Sequence, residues 1–84
     1  MLKSNKKMGN KIRIIRRKRG LNLADLAQRI DKSPSYLSMV ERGLTEPSIK
    51  ALIKISEELD VPKVYFLIDE QKYRTLIKRE FHNI

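Results

Sequence analysis

The sequence predicts an all-α domain of five short helices, with a tail that can add a sixth. Three observations carry this. Apolar residues recur at helical spacing in short blocks, with no strand-like alternation before the tail. Each block is bounded by a capping residue, a glycine or a proline. The chain has 84 residues and no cysteine, which allows one small domain burying about 60–65% of its unfolded surface, without a disulfide framework.

The first helix is expected from about Asn10 to Arg19, burying Ile12 and Ile15, with Gly20 as a left-handed cap. Asn22 can cap a second helix that buries Leu26, Ala27 and Ile30. Ser33 caps a third, with Pro34 at the first helical position, where a missing N–H does no harm. Gly43 closes it, and "EPS" restarts the pattern. A fourth helix opens near Ser48 with Ile49, Leu52, Ile55 and Leu59 along one stripe. Asp60-Val61-Pro62 breaks that helix, and Lys63–Ile68 forms a short fifth. None of these is long enough to be stable alone, so the stripes must pack on one another.

Charge is sharply polarised. The first twenty residues hold nine Lys and Arg and no acid, while the other sixty-four hold ten of each sign. The net charge of +9 therefore sits at one end, which suits a polyanionic partner, although a solubilising basic tail has the same composition. Residues 1–7 are expected as a basic flexible arm, whose Lys3, Lys6 and Lys7 can follow a nucleic-acid backbone or minor groove. The longest apolar run, Val64–Ile68, is far too short to span a bilayer, and no signal peptide is visible. No membrane partner is expected, and the absence of cysteine fits the cytoplasm.

The stretch "LADLAQRIDKSPSYLSMVERG", Leu23–Gly43, carries the functional signal. It reads as two helices joined by a tight turn, as in a helix-turn-helix that lays its second helix in the DNA major groove. Leu37 and Val40 face inward, leaving Pro34, Ser35, Ser38 and Met39 outward, flanked by Tyr36 and Arg42. Serine hydroxyls can bond base edges, and Met or Pro can touch a thymine methyl. Tyr36 and Arg42 are better placed for phosphates, which fix register. Taken singly, each of these residues is better explained as cap, surface or gap-filler. Their conjunction with the basic first helix favours DNA.

Residues Met8 to Ile68, with "IRxxRxxxGL", "LA", "SPSYLSxxERG", "PS" and the closing "LxVP", resemble the Cro/phage-repressor (XRE) family of helix-turn-helix domains. The resemblance implies a repressor-like five-helix domain that binds operator half-sites, usually as a dimer. It puts base readout on Pro34, Ser35 and Met39, with Ser38 beside them. Phosphate contacts fall on Tyr36, Arg42 and the fourth helix's start at Ser48, with Lys32, Arg13 and Arg17 as further candidates. It also implies that Arg16 and Glu41 form a structural pair, so that Glu41 does not repel phosphate. Three positions depart from the pattern. Leu23 stands where Gln often meets a phosphate, Asp31 where Gly is common, and Lys32 where an apolar residue is usual. Leu23, "SPSYLS" and "VP" more closely resemble XRE regulators that often carry a C-terminal cupin domain.

Residues 69–84 form the remaining segment. Tyr73, Leu76, Ile77, Phe81 and Ile84 recur at helical spacing and can make an amphipathic dimerisation helix. The same residues also resemble a linker leading into a cupin domain, or can simply cover the core's edge. His82 is the lone histidine, so neither a catalytic set nor a metal site is expected, and no cofactor. Glu57, Glu58 and Asp60 read as a solvated face. The expected function is a sequence-specific transcriptional regulator, a repressor, binding a palindromic double-stranded operator as a homodimer. The alternative is an antitoxin-like or antirepressor-like protein-interaction module on the same fold.

Overall fold

The computed structural model describes residues 2–62 and 64–67. Its first helix, α1 (Leu2–Lys18), begins eight residues before the expected start at Asn10. Residues 2–7, expected as a flexible arm, therefore continue the helix. The reason lies at Gly9. An interior helical glycine costs about 1 kcal/mol relative to Ala, but here it lets two backbones touch. A Cβ on Gly9 would lie 2.8 Å from the carbonyl carbon of Glu41 and nearer still to the oxygens of Val40 and Glu41. Helix α1 is seated on the end of a later helix, and that packing carries it past the glycine.

The remaining elements follow their local signals closely. Helix α2 (Leu23–Arg29) opens with a reciprocal capping box: Asp25 N–H donates to Asn22 Oδ1 at 2.8 Å, and Asn22 N–H donates to Asp25 Oδ2 at 3.1 Å. Helix α3 (Pro34–Glu41) has Pro34 in its first turn, and Tyr36 N–H donates to Ser33 Oγ at 3.1 Å. Helix α4 (Ile49–Leu59) is capped the same way by Ser48, whose Oγ accepts from Ala51 N–H at 3.1 Å. A single further turn, α5, spans Val64–Leu67. Among the described residues there is no strand.

One core unites these helices: Ile12, Leu26, Ala27, Ile30, Leu37, Val40, Leu52, Ile55, Leu59 and Phe66 are all buried. Two expectations need correction. Ile15 is only half-buried, because Arg16 takes the inward place beside it. Ile49 is 65% exposed and off the α4 stripe, and Pro47 is buried just ahead of it. Ile49 is the first residue of the helix. Arg19 Nε donates to Leu59 O at 2.9 Å, satisfying a carbonyl at the end of α4. Lys11 Nζ donates to Tyr65 O at 3.3 Å and stands 4.9 Å from that ring's centre, joining α1 to α5. The expected sixth helix lies outside the described residues. No helix among the described residues is long and apolar enough to cross a membrane.

Candidate nucleic-acid interface

The site is built on the turn between α2 and α3. Ile30 ends α2, and Asp31 adopts a left-handed conformation with φ 61°. This reverses the chain, so that Lys32 N–H donates back to Ala27 O at 2.9 Å and Asp31 N–H to Gln28 O at 3.1 Å. Asp is among the few residues besides Gly that tolerate this conformation. Ser33 and Pro34 then restart the helix at once. Two residues outside helix and cap thus separate α2 from α3.

The inward face of α3 is Leu37, Val40 and Glu41, all buried. Outward, Pro34 and Ser35 are exposed and Met39 is 40% exposed, presenting an apolar and hydroxylic surface without formal charge. Ser38 is half-buried, so it sits at the base of this surface and not on its crest. Arg42 caps the helix's C-terminal end and is exposed. Tyr36 is half-buried against the core, and Lys32 Nζ stands 5.5 Å from the centre of its ring. That cation–π contact gives Lys32 a partner in place of the apolar packing usual at its position. Ser48 is exposed, and its oxygen is engaged in capping Ala51. By helix geometry the amides of Ile49 and Lys50 remain without intrahelical acceptors, available to an oxyanion. Arg13 and Arg17 are exposed on α1.

Arg16 and Glu41 fix the orientation of α3. Nε donates to Oε2 at 2.7 Å and Nη2 to Oε1 at 2.9 Å, a two-pronged pair between side chains that are both nearly inaccessible. Arg16 Nη1 donates at 2.9 Å to Leu21 O, so the guanidinium also grips the loop before α2. The hydrogen bonds that Arg16 donates to Glu41 raise the pKa of Arg16 above its ordinary value, burial opposes this, and the carboxylate's charge adds to the rise. The charge of Glu41 is thus paired with that of Arg16 inside the domain.

Leu23 is half-buried against the core, in keeping with its apolar side chain. Glu57, Glu58 and Asp60 are exposed. Among the described residues no group of three or more His, Cys, Asp or Glu side chains could hold a metal.

A helix-turn-helix family model, HTH_3, matches residues 12–66. The chain belongs to the helix-turn-helix family. It is similar to the HTH-type transcriptional regulator SinR of Bacillus subtilis, 43% identical over 65 residues. That match covers 76% of this chain and 58% of SinR, so the chain spans little more than half of that relative's length. A solved structure of SinR, the master regulator for biofilm formation, in complex with DNA superposes with a TM-score of 0.68 at 40% identity, covering 73% of this chain and 98% of that one. The clp gene regulator ClgR from Corynebacterium glutamicum superposes at 0.75 with 28% identity, covering 94% and 84%. These helix-turn-helix relatives are named as regulators and not as enzymes.

Two features of the site were missed by reasoning from sequence. They are the close approach of Gly9 to α3 and that of Lys6 to Gly43. Gly9 offered a signal, since it interrupts an otherwise good helical run.

Proposed function

We propose that this chain is a sequence-specific, double-stranded-DNA-binding transcriptional regulator that represses by occluding a promoter. The observation that carries the reading is the uncharged outward surface of α3, Pro34, Ser35 and Met39, locked in place by the buried Arg16–Glu41 pair. In the five-helix count, the turn at Val64–Leu67 is the fifth helix.

Helix α3 enters the major groove, where Pro34, Ser35 and Met39 meet base edges and Ser38 supports them from below. Arg42, Tyr36, Lys32, Arg13, Arg17 and the start of α4 at Ser48 contact phosphates and set the register. The likeness to SinR in its complex with DNA supports this placement. A homodimer would read a palindromic operator whose half-sites lie about 34 Å apart. Residues 69–84 would supply the dimerisation helix, or lead toward a sensor domain of the cupin type. The working compartment is the cytoplasm, where the operator is.

The test is selection from a randomised duplex pool, repeated at two salt concentrations and followed by sequencing. Enrichment of a palindrome with half-sites about one turn apart is expected. Arg42→Ala should then weaken binding to every sequence alike. Met39→Ala should relax preference at one base position, by about 1–3 kcal/mol. Binding that selects no sequence, or is unaffected by both substitutions, would overturn the proposal.

A further inference from the structure

Helix α1 reaches the C-terminal end of α3 and adds Lys6 and Asn10, which the reading above leaves unused, to the Arg13 and Arg17 already placed on phosphates. We infer that α1 carries a phosphate-tracking edge continuous with the end of α3, with Lys6 as its leading residue, so that the helical extension lengthens contact with the DNA backbone. This rests on the DNA-binding function proposed above.

Two close approaches hold the extension in place. A Cβ on Gly43 would lie 2.9 Å from both the backbone nitrogen and Cα of Lys6, and 3.0 Å from its Cγ. Lys6 thus lies directly over the residue that follows Arg42. Three residues on, Gly9 meets the carbonyls of Val40 and Glu41. Contacts three residues apart on one helix fall on neighbouring parts of its surface. Lys6 is therefore carried on a seated helix, and both its side chain and that of Arg42, the residue before Gly43, are exposed.

The rest of the edge follows from helix geometry. At about 100° per residue, Lys6, Asn10, Arg13 and Arg17 fall within about 60° of arc. All four are exposed. At about 1.5 Å per residue the edge runs roughly 16 Å, long enough to meet several successive phosphates at one per ~3.4 Å of each strand. No carboxylate among the described residues pairs with Lys6, Arg13 or Arg17, so the cations are available to an external polyanion. Fixed on a helix, they lose less freedom on binding than the same charges on a loose arm.

The experiment is fluorescence titration of a mixed-sequence duplex over a salt series, with the full chain, Lys6→Ala and Lys18→Ala. Lys18 is exposed on the same helix but about 120° round from Lys6. Lys6→Ala should lower the log–log salt slope by about 0.9, one phosphate's worth, while Lys18→Ala keeps the slope of the unmodified chain. Thermal unfolding of each variant separates a structural effect, since a Lys6 that only packs on Gly43 would move Tm and leave the slope alone. An unchanged slope in Lys6→Ala overturns the inference, and so does an equal loss in Lys18→Ala, which would mean diffuse attraction. Failure of the unmodified chain to bind duplex at all would instead strike the proposed function itself.

Discussion

Gly9→Ala should destabilise this protein, although the same change in an ordinary helix interior stabilises. Helix propensity alone favours Ala by about 1 kcal/mol. Against this stands the geometry at α3. The new Cβ would sit 2.8 Å from the carbonyl carbon of Glu41, whereas carbon atoms prefer about 3.5–4.0 Å. The overlap is therefore about 0.7–1.2 Å by that same spacing. Neither side can yield by rotating a side chain, because a Cβ is fixed to its own backbone and the facing atoms are backbone, and Glu41 is pinned to Arg16. Overpacking typically costs about 1–3 kcal/mol, and a backbone wall belongs at the upper end. Subtracting the propensity gain leaves a net loss of about 2 kcal/mol. At roughly 4–8 °C per kcal/mol for a domain of this size, Tm should fall by about 8–16 °C. Circular dichroism melts of Gly9→Ala beside Asn10→Ala provide the measurement. Asn10 is exposed on the same helix, and its change should raise Tm slightly through propensity. A Tm for Gly9→Ala that holds or rises would refute the seating of α1 on α3.

Glu41→Ala leaves Arg16 buried without its carboxylate, and denaturant unfolding should register a loss of about 3–5 kcal/mol; the double replacement Arg16→Met/Glu41→Leu should recover most of it, and an intact Glu41→Ala melt would contradict a buried pair. Asp31→Gly relieves a left-handed non-glycine residue at φ 61° and should stabilise by about 0.5–1 kcal/mol after the entropy cost of glycine, as read from the same unfolding curves. Arg19→Ala removes the donor to Leu59 O and should lower stability by about 1–3 kcal/mol, with hydrogen exchange speeding first at the end of α4.

Features that act within a few residues were legible from the chain. Asn22, Ser33 with Pro34, and Ser48 each cap a helix through a bond three residues away, so residue type and position suffice to place α2, α3 and α4. Gly20 and Gly43 end helices at φ 72° and 75° where their lack of a Cβ implies it, and Asp31 takes the turn that its tolerance of positive φ allows. The outward Pro34, Ser35 and Met39 follow from the 3.6-residue period once Leu37 and Val40 are turned inward. The partnership of Arg16 with Glu41 was different: periodicity puts both residues on helices but does not join them, and the family resemblance supplied the link.

The rest depends on which surfaces meet across long separations in the chain. Arg16 and Glu41 are 25 residues apart, Arg19 and Leu59 40 apart, and Lys11 and Tyr65 54 apart. The start of α1 belongs to this group, since Gly9 breaks a helix by propensity yet continues one here because its bare Cα fits the end of α3. Ile49 is the converse case, expected on the α4 stripe from its spacing but left 65% exposed at the helix's first position. By itself the sequence determined the all-helical class, the caps and turns, and the outward surface of α3, because hydrogen bonds and periodicity within a helix are local. Only the tertiary structure decided how far α1 extends and that Arg19 and Lys11 reach the carbonyls of Leu59 and Tyr65, because those outcomes turn on which distant backbones approach one another.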